Sequence, residues 1–269
     1  MADTDWLKQV AGPAFPAIEW SKPQHRSGAG KLLIVGGHQH RFVALAEAFA
    51  AAAEAGVGVI RVVMPDSLKS YRRFLPAEAE FAPSAPSGGF AKEALGVLTD
   101  AAVGVDAILV AGDMGRNSQT AILLERLLNN YSGKMVLTQD ALDFFLARPG
   151  ELAARPQTLL VGSLAQARQL VAGPQKGYHL SFGMQLMQVV EVLRNFSRAA
   201  AAGLITKHHE LVLVTLGGRL SSTAAPGRLP WRVATAAVAA VYWLQHQSKP
   251  FEALTTAVWH CQRAGRRLP

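Results

Sequence analysis

The chain has 269 residues, half of them hydrophobic, which is enough to bury a substantial core, and an α/β sheet of this length commonly forms one domain. With 27 Lys and Arg against 19 Asp and Glu, the formal charge of +8 favours anionic partners without choosing among nucleotide, nucleic acid and phospholipid. Cys261 is the single cysteine, which excludes an internal disulfide framework and a thiolate zinc site and fits a reducing, cytoplasmic setting. The first residues, Met-Ala-Asp-Thr-Asp, carry acids where a secretory signal carries bases, and no apolar run reaches the length of a membrane span, so a soluble, intracellular protein is expected.

Residues 1–30 are rich in Pro, Gly and polar residues and read as a loosely structured N-terminal arm laid on a domain spanning 31–262. Lys31 to Val35 runs apolar into Gly36-Gly37, a buried strand followed by a tight turn. The Ala-rich stretch from Phe42 to Ala55 favours helix and stops at Gly56, and Val57 to Met64 is a second β-branched strand. The alternation continues through a helix at 91–102, the strand Ala107 to Val110, a helix at 120–128 and the strand Met135 to Thr138. Such spacing predicts a parallel sheet with helices on both faces.

After the strand Thr158 to Val161, a long helical stretch is expected to about Ala202. Gly217-Gly218 between Leu211–Leu216 and Arg219–Ser222 suits a two-residue hairpin, giving the sheet an antiparallel edge. Val233 to Leu244 is apolar on nearly every side and should be buried in the domain or against another subunit. The last residues, 263–269, hold three arginines and read as a solvated basic tail.

Several runs resemble a known family in order and spacing. His25-Arg26-Ser27-Gly28-Ala29-Gly30, leading into Lys31 to Gly37, is similar to the opening of the ADP/ATP-dependent NAD(P)H-hydrate dehydratases. Glu54 to Ile60, Pro65 and Leu75-Pro76 follow as the next landmarks, and the resemblance covers roughly residues 22–260. It implies a ribokinase-like three-layer sandwich, a mainly parallel sheet with an antiparallel edge hairpin, and a reaction that removes water from hydrated NADH or NADPH with ATP or ADP. A doubly wound sheet independently places a ligand crevice at the C-terminal ends of its strands, where Gly36, Gly37, Asp113 and Asp140 fall.

The resemblance fails where the chemistry belongs. The family's Gly-Thr-Gly-Asp turn, which holds phosphate and supplies an acid/base Asp, is represented by Pro230-Trp231-Arg232-Val233, putting Val233 at the acid position. Thr-Pro-His-Pro-Gly-Glu becomes Val161 to Gln166, with Ser163 and Gln166 in place of the His and Glu. Loss of a single general acid/base typically lowers the rate by about 10²–10⁴. In the Gly-Pro-Gly-Leu-Gly turn, Ala111 to Gly115 retains only Gly115 of the family's glycines, and Thr138 to Leu142 keeps the second Asp, Asp140. Lys207 stands where a phosphate-facing lysine is expected, although a solvated lysine explains it as well, and the chain ends within ten residues of His260, before the family's further helical segment.

Gly36, Gly37, His38, Asp113, Gly115, Asp140 and Lys207 are therefore the candidate binding residues for ATP or ADP and an NAD(P)H-type ligand. Asp113 and Asp140 read equally as substrate or Mg²⁺ ligands and as helix caps. His38, His40, His208 and His209 lack a carboxylate at ligand spacing, so no metal site is assigned. Ser163, Ser221 and Ser222 lie in no nucleophile elbow. Arg263, Arg266 and Arg267 come with no nucleic-acid-binding signature. Tyr242 and Trp243 read as core or interface. The expectation is a divergent dehydratase-like protein that has lost nucleotide-dependent dehydration and serves as a binding or assembly protein, as a homo-oligomer or paired with an intact relative. The alternative is a lyase or small-molecule kinase working through Asp113, Asp140 or Lys207.

Overall fold

The computed structural model describes residues 6–173, 179–227 and 231–264. Ten strands form one sheet: β1 (Trp6–Gln9), β2 (Lys31–Gly36), β3 (Val59–Pro65), β4 (Ala79–Ala82), β5 (Ala107–Gly112), β6 (Lys134–Thr138), β7 (Thr158–Val161), β8 (Gly203–His208), β9 (Leu211–Leu216) and β10 (Arg219–Ala224). Their order is β1-β10-β9-β8-β7-β6-β5-β2-β3-β4. All pairs are parallel except β8 with β9 and β9 with β10.

Alternation along each strand divides the core. In β2, Leu32 and Ile34 face one layer and Leu33 and Val35 the other, as the two-residue period of a strand requires. The first layer is built by α2 (Val43–Glu54), α8 (Arg232–Gln245) and α9 (Pro250–Ala264). The second holds α3 (Leu95–Ala102), α4 (Ser118–Asn130), α5 (Pro149–Ala154), α6 (Leu164–Ala172) and α7 (Leu186–Ala199). Both faces are covered, which is why the central strands are continuous hydrophobic runs.

The predicted βαβ units and the hairpin are present. Gly217 and Gly218 both take positive φ, 59° and 79°, as the turn joining β9 to β10 needs. Helix α8 is buried along its whole length between α2, α9 and the strands β5 and β6, so its apolar surface is used inside the domain. That helix therefore offers no apolar surface for a second subunit.

Four expectations are corrected. Residues 6–9, read as part of a loose arm, add β1 in parallel to β10, so the antiparallel hairpin is not the sheet's edge. Gln9 fixes this strand by donating to Thr223 Oγ1 at 2.7 Å and to the Thr255 carbonyl at 2.9 Å. The arm also forms a short helix, α1 (Pro16–Trp20). The long helical stretch after β7 is two helices, α6 and α7, separated by the irregular segment 179–185. Strand β4, four residues long, was hidden by its shortness, and β8 by the Ala-rich run before Gly203. The basic tail begins inside α9, where Arg263 lies 4.9 Å from the Trp259 ring, while Arg266 and Arg267 lie outside the described residues.

Candidate active site at the C-terminal edge of the sheet

The parallel strands end at one edge, and backbone geometry there departs from regular sheet. Gly36 at the end of β2 approaches β5 so closely that a Cβ would lie 2.7 Å from the Gly112 carbonyl oxygen. Gly37 and Gly112 take φ of 98° and 110°, and the non-glycine residues Asp113 and Gln139 both sit at φ 56°. Left-handed Asp and Gln at neighbouring strand ends turn the chain sharply over the edge, a conformation that side chains normally disfavour. His38 lies over Gly115, leaving no room for a side chain there.

Asp113 is buried, and both its oxygens are engaged. Oδ2 accepts the Ala44 amide in the first turn of α2 at 2.8 Å, and Oδ1 pairs with Arg41 Nε at 2.8 Å. It therefore caps α2 from a distant strand and complements the positive end of the helix. Asp140 differs. Its Oδ2 accepts the Met114 amide at 3.0 Å, while Oδ1 is buried without a hydrogen-bond partner. Burial pushes this carboxyl up; the Met114 amide opposes, and the charges of Asp113 and Asp143 add to the rise.

Ser163 and Gln166, the residues that stand at the family's His and Glu, form a capping box at the start of α6. The Gln166 amide donates to Ser163 Oγ at 3.2 Å, and the Ser163 amide donates to Gln166 Oε1 at 3.0 Å. The same side chain joins three other elements. Its Nε2 donates to the Gln139 carbonyl and to Asp143 Oδ1, both at 2.8 Å, and its Oε1 accepts Arg232 Nη1 at 3.1 Å. Burial lowers the Arg232 guanidinium, opposed by Asp143 and Asp140.

Trp231, Arg232 and Val233 stand at the head of α8 as expected. Val233 is 2% exposed and belongs to the core. Pro230 lies outside the described residues. The Ala234 amide donates to Glu47 Oε1 of α2 at 3.2 Å. Burial raises the Glu47 carboxyl, the Ala234 bond opposes, and the Asp113 charge raises it further. A helix N-terminus open to a phosphate presents free amides. Here one of them is held by the protein's own carboxylate, and Arg232 and Trp231 stand where glycine's freedom is needed, so the residues do not fit a phosphate cradle.

A cavity of about 530 Å³ is lined by Gly115, Arg116, Asp140, Asp143, Phe144 and Gln169 among others. Its size and its mix of an aromatic wall with a few charged groups suit a small molecule. Lys207 does not join it and donates to the Gly227 carbonyl at 2.8 Å. His208 is buried with Nε2 unpartnered, and burial, followed by the charge of His209, lowers its pKa. Among the described residues, no group of three or more His, Cys, Asp or Glu is arranged to hold a metal ion, and no helix is long and apolar enough to cross a membrane.

Neither a protein-family profile nor a curated protein matches the sequence. Solved structures do. A ribokinase-like superfamily protein from Enterococcus faecalis covers 100% of this chain and 90% of its own, with a TM-score of 0.76 at 13% identity. A hypothetical protein from Streptococcus mutans reaches 0.73 at 17% identity, covering 97% and 91%. The fold is ribokinase-like. The ADP/ATP-dependent NAD(P)H-hydrate dehydratase from Bacillus subtilis, co-crystallised with ATP and Mg²⁺, shares the ribokinase-like fold with a TM-score of 0.64 at 13% identity, covering 96% of this chain and 90% of its own.

Of the candidates named from sequence, Gly115 and Asp140 line the cavity, His38 lies over Gly115, Asp113 caps α2, Gly36 packs against Gly112, and Lys207 is turned elsewhere. Sequence reading missed Asp143, Arg116, Arg232 and Glu47. The spacing Ser163-x-x-Gln166 before an apolar helix was a legible capping signal. Glu47, a single acid in an alanine-rich helix, carried none.

Proposed function

We propose that this chain is a small-molecule binding protein on a ribokinase-like scaffold that has lost nucleotide-dependent dehydration and binds its ligand in the Asp140–Asp143–Arg116 cavity. The observation that carries this reading is the Ala234 amide donating to Glu47 at the head of α8, where a phosphate would meet a carboxylate. Burial of Val233 where an acid/base Asp is needed supports it. The ligand-bound protein works in the cytoplasm as a homo-oligomer or as the inactive partner of an intact relative. Calorimetric titration with ATP, ADP, NADH and NADPH, beside an assay of hydrated NADH with ATP or ADP, is the test. Weak or absent nucleotide binding and no dehydration are expected; turnover near that of an intact dehydratase refutes the reading.

A second reading keeps chemistry, because burial raises both the Asp140 and the Glu47 carboxyl, the direction that favours a general acid. A lyase or small-molecule kinase would then use Asp140 as its acid/base group. Nucleotide-dependent turnover that is lost in Asp140→Asn would favour it.

A further inference from the structure

Charges of both signs line the cavity. Asp140 and Asp143 stand three residues apart on consecutive 3₁₀ turns, Gln139–Ala141 and Asp143–Phe145, a spacing that places side chains on one face. Protein donors take one oxygen of each: the Met114 amide donates to Asp140 Oδ2, and Gln166 Nε2 donates to Asp143 Oδ1. Asp140 Oδ1 has no partner, and the Asp143 charge adds to the rise of the Asp140 carboxyl, so the two acids repel each other. Arg116 is exposed. Among the described residues, no ion pair involves Arg116, Asp140 or Asp143. The other cation near these acids, Arg232, donates to Gln166 Oε1 at 3.1 Å.

The same cavity has an apolar wall of Phe144, Leu146 and Ala147. Simple ligands match only part of this lining. A phosphate or carboxylate meets two carboxylates, an amine alone meets the Arg116 guanidinium, and a neutral polyol leaves all three charges without counterparts. A ligand carrying an ammonium and a carboxylate answers both signs. The groups it must reach are close, because Met114 is bound to the Asp140 carboxylate and two residues of chain, about 7 Å at most, separate Met114 from Arg116.

We propose that the cavity takes a free α-amino acid with an aliphatic or aromatic side chain, an inference that rests on the binding role given above. Its carboxylate meets Arg116, its ammonium meets Asp140 and Asp143, and its side chain lies on Phe144 and Leu146. The test is calorimetric titration of the full chain with L-phenylalanine and L-leucine. Controls are phenethylamine, which lacks the carboxylate, hydrocinnamate, which lacks the ammonium, and myo-inositol. The amino acids should bind, and removing either charged end should weaken affinity about tenfold or more, as for loss of a hydrogen bond to a charged group. Arg116→Gln should weaken phenylalanine by a similar factor and leave phenethylamine unchanged. Asp143→Asn, which keeps an oxygen for Gln166, should weaken phenylalanine and phenethylamine alike while sparing hydrocinnamate. Circular dichroism of each variant verifies that it folds. No amino-acid binding at millimolar concentration, or phenethylamine bound as tightly as phenylalanine, overturns the proposal. Myo-inositol binding that Asp143→Asn abolishes, with neither amino acid bound, overturns it too and leaves the binding-protein reading standing. Turnover of hydrated NADH refutes that reading whatever these titrations show.

Discussion

Replacing Gln166 by Ala tests whether one side chain holds the candidate site together. The substitution removes the reciprocal arm of the α6 capping box, the Ser163 amide donating to Gln166 Oε1, which costs about 0.5–1 kcal/mol. It also leaves the Gln139 carbonyl and one face of the Arg232 guanidinium without their partners. A buried group stripped of its partner costs about 1–3 kcal/mol, and Arg232, being only half-buried, recovers part of this from water. The expected loss is about 2–4 kcal/mol in all, which for a chain of this size lowers Tm by roughly 5–15 °C. Urea unfolding and calorimetry measure it directly. The conservative variant Gln166→Glu keeps an acceptor for Arg232 but places a second carboxyl beside Asp143. A loss below about 0.5 kcal/mol in the alanine variant, within the range of ordinary surface changes, would refute the role assigned to Gln166.

Asp140 has a folded pKa above its ordinary 3.8, so its contribution to stability is fully present below that value and is lost as pH rises through the folded pKa; a pH series of Tm should show a shallower decline in Asp140→Asn. Gly36→Ala forces a Cβ to within 2.7 Å of the Gly112 carbonyl, and about 1–3 kcal/mol of destabilisation is expected by chemical denaturation. Val233→Asp restores the residue type of the dehydratase turn at a position 2% exposed; about 3 kcal/mol or more should be lost, with no gain of dehydration, and soluble variant protein with restored turnover would contradict the account of the α8 head.

The parts of this protein legible in its sequence are those decided by neighbours along the chain. Apolar runs of five or six residues ending in glycine marked β2 and β5, the Gly217-Gly218 pair marked the hairpin, and unbroken apolarity marked α8 as internal. Short elements escaped for the same reason. Trp6 to Gln9 has no period of its own and becomes a strand only because β10 offers an unpaired edge and Gln9 finds Thr223 and Thr255 across it.

The site divides in the same way. Asp140 and Gly115 were legible because strand ends in a parallel sheet predict a crevice. Tertiary structure alone decided that Asp113 caps α2 and that Gln166 meets Arg232, 66 positions away. It also set Glu47 against an amide 187 positions along the chain and paired Arg41 with Asp113. Local propensity acts over a few residues, whereas the protonation and pairing of a buried charge depend on whatever the folded chain brings within a few ångströms. For that reason the residue types lost from the dehydratase pattern could be read directly, and the groups that replaced them could not.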